Sequence, residues 1–149
     1  MCGIIGFIGS DVSDFDLSVL THRGPDSSGH IFIEDKNIFL GHTRLAIQDL
    51  SETGSQPMIS PTGRFTISFN GEIYNHLELR KLISLDSDYE WKGTSDTETL
   101  AVCFDVFGIE ASIEMCQGMF AVGVWDDDKK QLNLIRDRFG EKPLYYGIV

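Results

Sequence analysis

Positive charge is scarce in this chain of 149 residues. Lys and Arg number 12 against 23 Asp and Glu, a formal net charge of −11. Nucleic acids and anionic membrane surfaces are recognised through basic patches, so this balance argues against both as principal partners. Long apolar runs are lacking too; none approaches the ~20 residues of a membrane-spanning helix. The N-terminus has neither the basic flank nor the cleavage site of a secretory signal, so a cytoplasmic location is expected. Cysteine is sparse: Cys2, Cys103 and Cys116 are widely spaced and no C-x-x-C pair occurs, which disfavours a zinc ribbon or a thioredoxin-type redox motif. His22, His30, His42 and His76 are scattered without ligand spacing, so no metal site is expected. Repeats and low-complexity tracts are absent. What is present, 42% hydrophobic and 23% charged residues, suits one compact domain with a real core.

The pattern along the chain predicts strands, then helices, then strands again. Residues 4–8 read as a short buried strand between glycines, and residues 13–20 as a short helix. Residues 28–34 and 37–42 alternate as a hairpin, the second strand continuing toward residue 47. Residues 51–63 are rich in Gly, Ser, Pro and Thr and read as loop. Residues 65–69 alternate with a period of two and run into Asn70-Gly71-Glu72. Asn75 is placed to cap a helix carrying Leu79, Leu82 and Ile83 on one face. The clearest helix follows: Ser95 and Glu98 form a capping-box pattern, Leu100, Cys103, Phe104 and Phe107 share a face, and Gly108 stops it. A short helix over 109–115 precedes a hairpin of residues 119–125 and 132–136. The acidic run between those strands reads as a solvated turn, and residues 144–146 as a last strand. Segregated strands and helices with hairpin connections define the α+β class, antiparallel sheets with helices packed outside.

Several residues could carry chemistry. Removal of Met1 would leave Cys2 with a free α-amine beside its thiol, a nucleophile and its general base in one residue. Attack on an amide needs an oxyanion hole, and the Asn70 side chain with the Gly71 backbone N–H offers one. The competing reading of Asn-Gly is a plain tight turn. An amino-acid amide also brings a carboxylate, which suits Arg44, and an ammonium, which suits Asp96 or Glu72. Asp96 in the first turn of a helix equally suits the helix dipole. Together these residues meet the four needs of glutamine amide hydrolysis: nucleophile, oxyanion hole, carboxylate clamp and amine clamp.

The ordered set Met1-Cys2-Gly3-Ile4-Ile5-Gly6, His22-Arg23-Gly24-Pro25-Asp26, His42-Thr43-Arg44-Leu45-Ala46-Ile47, Gln56-Pro57-Met58, Asn70-Gly71-Glu72-Ile73-Tyr74-Asn75, Ser95-Asp96-Thr97-Glu98 and Arg136-Asp137-Arg138-Phe139-Gly140 resembles the class II glutamine amidotransferase domain of glutamine-hydrolysing asparagine synthetases. The resemblance covers essentially the whole chain. It implies an N-terminal-nucleophile hydrolase fold, a four-layer αββα sandwich of two antiparallel sheets between helical layers. It implies Cys2 as nucleophile and Asn70 and Gly71 as oxyanion hole. Arg44, Leu45, Ile47, Gln48, Asn70, Gly71, Glu72 and Asp96 would bind glutamine, Arg44 on its α-carboxylate and Asp96 on its α-amine. Gln48 departs from the family, which often has Val there. No cofactor is implied in this domain; ATP and magnesium belong to a synthetase domain that would receive ammonia in cis, making this chain the excised N-terminal part of a longer one. A homodimer is left open. The acceptor is also open, aspartate by default or a sugar acid of surface-polysaccharide synthesis, as are a catalytically silent scaffold and a redox-sensing Cys2.

Overall fold

The computed structural model describes residues 1–9 and 15–148. In chain order these form β1 (Gly3–Ile8), β2 (Ser27–Ile33), β3 (Ile38–Arg44), β4 (Met58–Ile59), β5 (Phe65–Ile73), α1 (His76–Asp86), α2 (Asp96–Phe107), α3 (Ile109–Met115), β6 (Gly118–Asp126) and β7 (Gln131–Arg136). Every pairing among them is antiparallel. One sheet has the order β1-β3-β2, the other β4-β5-β6-β7.

The sheets stack face to face. Alternation along β3 turns Ile38, Leu40 and His42 toward the second sheet. There Ile38 and Leu40 pack with Trp125 of β6, and Ser68 Oγ of β5 donates to the Gly41 carbonyl at 3.4 Å. Burial pushes the His42 pKa down to about 4, so its imidazole is neutral between the sheets. On the other face of the second sheet, Phe65, Ile67, Phe69, Ile73, Phe120, Val122 and Val124 pack against Leu79 and Ile83 of α1 and Leu100, Cys103 and Phe104 of α2. Each large side chain buried there contributes about 1.5–3 kcal/mol. The outer face of the first sheet carries Phe39 with Phe7 and Phe15. A 3-10 turn at Leu17–Leu20 covers it, and the Leu20 carbonyl accepts Thr43 Oγ1 at 3.0 Å. The result is the expected α+β sandwich, with a thin layer over the first sheet: among the described residues it is that single turn.

Several local expectations shift. Residues 13 and 14 of the expected first helix lie outside the described residues, and the remainder is the 3-10 turn. β3 stops at Arg44 because Asp26 Oδ2 takes the Ala46 N–H at 2.8 Å and pulls the chain out of the sheet. The loop 51–63 contains the two-residue strand β4. Asn70 and Gly71 are no tight turn: they lie within β5, opposite Ala121 and Phe120. Gly71 is required there, since a Cβ would collide with the Met119 carbonyl. Asn75 precedes α1 without a side-chain cap; its amide bridges to the Met115 carbonyl and the Gln117 N–H instead. At α2, Ser95 Oγ accepts the Glu98 N–H at 3.2 Å, but Glu98 turns to the N–H groups of Lys92 and Gly93 and to the Tyr89 hydroxyl. Gly108, at φ 79°, ends that helix. In the acidic turn Asp126 is buried and paired with Arg64 at 2.8 Å, Asp127 is half-buried and Asp128 is exposed. Residues 144–146 form no strand, and Tyr145 and Tyr146 are exposed.

Candidate active site

Cys2 immediately precedes β1, an edge strand of the first sheet. The Leu45 N–H donates to its Sγ at 3.5 Å, and the thiol faces the Leu45 carbonyl at 3.8 Å. The backbone of Leu45 is thereby spent on the nucleophile. Cys2 opens onto a pocket of about 120 Å³ that also takes in Arg44, Leu45, Ile47, Gln48, Asn70, Gly71, Glu72 and Asp96. Every residue expected at the site from sequence lines this one cavity. Ile47 sits at its rim, largely exposed.

The geometry of β5 explains the donors. Along a strand, alternate N–H groups point to the same edge. Phe69 N–H donates to Gln56 Oε1 at 2.7 Å, and Ile73 N–H to Asp96 Oδ2 at 2.8 Å. Gly71 lies midway, so its N–H points the same way. Among the described residues no strand pairs with that edge beyond Ile67, the last partner of β4. The Gly71 N–H therefore faces the pocket without a partner among the described residues. Beside it, the Asn70 side chain is buried and makes no hydrogen bond to a described residue.

The charged groups divide unequally. Arg44 is buried, and its guanidinium donates to the Ser51 carbonyl at 2.8 Å and to the Asp49 carbonyl. Part of the fork expected to meet a carboxylate thus pins the loop 49–51. Glu72 Oε1 accepts Gln48 Nε2 at 3.1 Å, joining the two walls of the pocket. Asp96 is buried, and desolvation lifts its pKa to about 6 despite the backbone N–H groups that hold it.

Among the lining residues that sequence reasoning did not name for the site, three carry polar wiring or charge. Gln56 wires the site: besides capping Phe69, its Nε2 donates to Thr97 Oγ1 at 3.1 Å, next to Asp96. Its motif was visible, but its partners were not. Asp49 accepts the Ser51 N–H and hydroxyl, the Thr53 hydroxyl and the Thr94 N–H. The Ser51 hydroxyl bond leads in holding its carboxyl well below the usual range. Lys142 is the third, contributed by the loop after β7.

Comparison with known proteins places this arrangement in a class. Of solved structures, a glutamine phosphoribosylpyrophosphate amidotransferase from B. subtilis shares the fold, with a TM-score of 0.51, 23% identity, and coverage of 61% of this chain and 21% of that one. A family profile described as "Glutamine amidotransferase domain" matches residues 1–149, and the chain belongs to that family of enzyme domains. Among curated proteins it is similar to asparagine synthetase [glutamine-hydrolyzing] 1 of Bacillus subtilis, 36% identical over all of this chain and 24% of that protein. It is also similar to the amidase chry2 of Gibberella zeae, 36% identical over 89% of this chain and 19% of that protein. The chain spans about a fifth to a third of the length of the curated relatives it matches. Among the described residues no helix is long and apolar enough to cross a membrane.

Proposed function

We propose that this domain hydrolyses the side-chain amide of glutamine to glutamate and ammonia through a thioester at Cys2, after Met1 is removed. The α-amine of Cys2 takes the thiol proton. The thiolate attacks the amide carbon, and the oxyanion forms against Asn70 Nδ2 and the Gly71 N–H. Collapse breaks the C–N bond, the α-ammonium returns its proton, and ammonia leaves. Water, deprotonated by the same amine, then cleaves the thioester to glutamate and free Cys2. Asp96 and Glu72 receive the substrate ammonium and Arg44 its carboxylate. The carrying observation is a Gly71 N–H and an Asn70 side chain, both without a partner among the described residues, side by side in the cavity that holds Cys2.

The ammonia passes, in this proposal, to an ATP-dependent synthetase domain of the same polypeptide, which makes asparagine or amidates another acceptor. The similarity to proteins three to five times longer supports a further domain. Intact mass spectrometry after incubation with 6-diazo-5-oxo-norleucine tests the glutaminase reading. One adduct on Cys2 of Met1-free protein, blocked by excess glutamine, is expected. Met1-retaining protein should turn over glutamine at a small fraction of the rate, and equal turnover would remove the amine from its role. No adduct on folded, trimmed protein would favour a silent scaffold.

A further inference from the structure

Asp49 stands between the two charged side chains that would clamp an amino acid. It is buried in the pocket wall. Its main-chain carbonyl accepts Arg44 Nη2, while its carboxylate takes other donors. Oδ1 accepts the Ser51 N–H at 2.8 Å and the Ser51 hydroxyl at 2.6 Å. Oδ2 accepts the Thr53 hydroxyl at 3.2 Å and the Thr94 N–H at 2.8 Å. Thr94 lies two residues before Asp96, at the entry to α2. Among the described residues no other hydrogen bond joins residues 49–55 to residues 89–96. The two segments approach closely there: a Cβ at Gly93 would collide with Thr53 Oγ1 and Asp49 Oδ2.

A carboxylate this near a guanidinium ordinarily pairs with it. Here the Asp49 carboxylate is given to neutral donors, the Ser51 hydroxyl bond leading in holding it ionised. Arg44 instead meets the neutral carbonyls of Asp49 and Ser51, and among the described residues it forms no ion pair. Its charge is thereby kept for a ligand. Asp96 is fixed independently: its Oδ2 accepts the Ile73 N–H, and the Ser95 carbonyl before it accepts Arg80 Nη2 at 2.8 Å. The entry of α2 is thus anchored to β5 and α1. Asp49 carries that anchorage across to the loop on which Arg44 leans.

We propose that Asp49 is a positioning residue that sets the separation of Arg44 from Asp96, matching the site to a substrate with its carboxylate and its ammonium on one carbon. This rests on the glutaminase reading, with Arg44 and Asp96 as the clamps. An α-amino acid presents both charges at a fixed spacing, so both clamps engage only when their own spacing is held. A ligand with one of the two charges uses one clamp and does not sense the spacing. Asparagine at position 49 keeps an oxygen for Ser51 but turns an NH2 toward Thr94, and that group cannot accept the N–H. Thr94→Pro deletes the same N–H from the other side, at an exposed residue outside the pocket.

The test is kcat/KM for hydrolysis of three amides by Met1-free protein: L-glutamine, 4-carbamoylbutanoate, which lacks the α-amine, and 4-aminobutanamide, which lacks the α-carboxylate. Wild type should prefer L-glutamine to both. A 1 Å misplacement costs up to about 100-fold, so Asp49→Asn and Thr94→Pro should each lower the L-glutamine value about tenfold, mainly through KM, and each analogue value less than about twofold. The inhibition constant of each analogue against L-glutamine needs no turnover and should likewise stay within about twofold. The ratio of substrates does not depend on how much of a variant is folded. The double variant should be no worse than either single one, since both break one link. Equal losses for all three substrates would mark a merely structural residue and overturn the proposal. A loss shared by L-glutamine and one analogue would make Asp49 a contact of that one group, and also overturns it. So does a wild type with no preference for L-glutamine, which needs no variant to fold. If wild type does not hydrolyse L-glutamine at all, it is the glutaminase reading that falls; hydrolysis with a preference unmoved in both variants sinks only the role of Asp49.

Discussion

Asp96→Asn separates what the site needs from what the fold prefers. Asp96 is buried at the start of α2, where its Oδ2 accepts the Ile73 N–H. Desolvation raises its pKa from 3.8 to about 6. A raised carboxyl pKa means the native state binds a proton more tightly than the unfolded chain. The stability associated with the protonated form is fully present below about pH 4 and is lost as pH rises through about 6. The interval from 3.8 to about 6 corresponds to about 3 kcal/mol of native-state cost for holding the ionised form at pH 7. Asparagine keeps an oxygen for Ile73 and carries no charge. Urea unfolding should therefore find the variant equal to wild type near pH 3.5 and more stable by up to about 3 kcal/mol at pH 7, about half of it gained by pH 5. Glutamine turnover should fall at the same time, because the ammonium loses its anion; such a site trades stability for function. A variant less stable than wild type at pH 7, or a difference independent of pH, would refute the reasoning.

Three further predictions follow from the same geometry. The KM for glutamine should rise about tenfold between pH 7 and pH 5, since the Asp96 clamp works only when ionised and titrates near 6; a flat KM over that range would remove Asp96 from substrate binding. Gln56→Ala should cost about 2–3 kcal/mol in chemical denaturation, because it strands the buried Phe69 N–H and frees Thr97, and a loss below about 0.5 kcal/mol would contradict that role. In trimmed native protein at pH 8, a thiol reagent should titrate Cys2 alone and all three cysteines only after denaturation. Burial raises the Cys103 and Cys116 thiols to about 12 and about 11, so a second fast thiol in the native state would contradict their burial.

Much of this was legible in the sequence, and the parts that were not share a cause. α2 showed itself through a 3.6-residue apolar pattern, a Ser95 cap and a Gly108 stop, all local signals. That Cys2, Asn70, Gly71 and Asp96 would converge on one site could be read from residue type and order, and they line one cavity. Arg44 was legible as a cation near a strand end, but not as one whose fork folds back on carbonyls five and seven residues away. Gln56 reaches Phe69 and Thr97, 13 and 41 residues distant, and Lys142 reaches residue 1 across the whole chain. Long-range wiring of this kind leaves no periodicity to read.

The least legible element has the largest consequence. β4, expected as loop, pairs only Met58 and Ile59 with Ile67 and Thr66. Continued in register, the same pairing would bring Gln56 opposite Phe69. Pro57 has no N–H to extend the ladder, and Gln56 answers Phe69 with its side chain instead of its backbone. The edge of β5 beyond Ile67 is thus left without a partner strand. An unpaired sheet edge is ordinarily satisfied or covered, and here side chains satisfy it selectively: Gln56 at Phe69 and Asp96 at Ile73. The N–H between them, at Gly71, stays available in the pocket. A longer β4 would have consumed it in the ladder, and a side chain at position 71 would have pushed β6 away. The donor expected to stabilise an oxyanion exists because one strand is two residues long and the residue beside it has no Cβ.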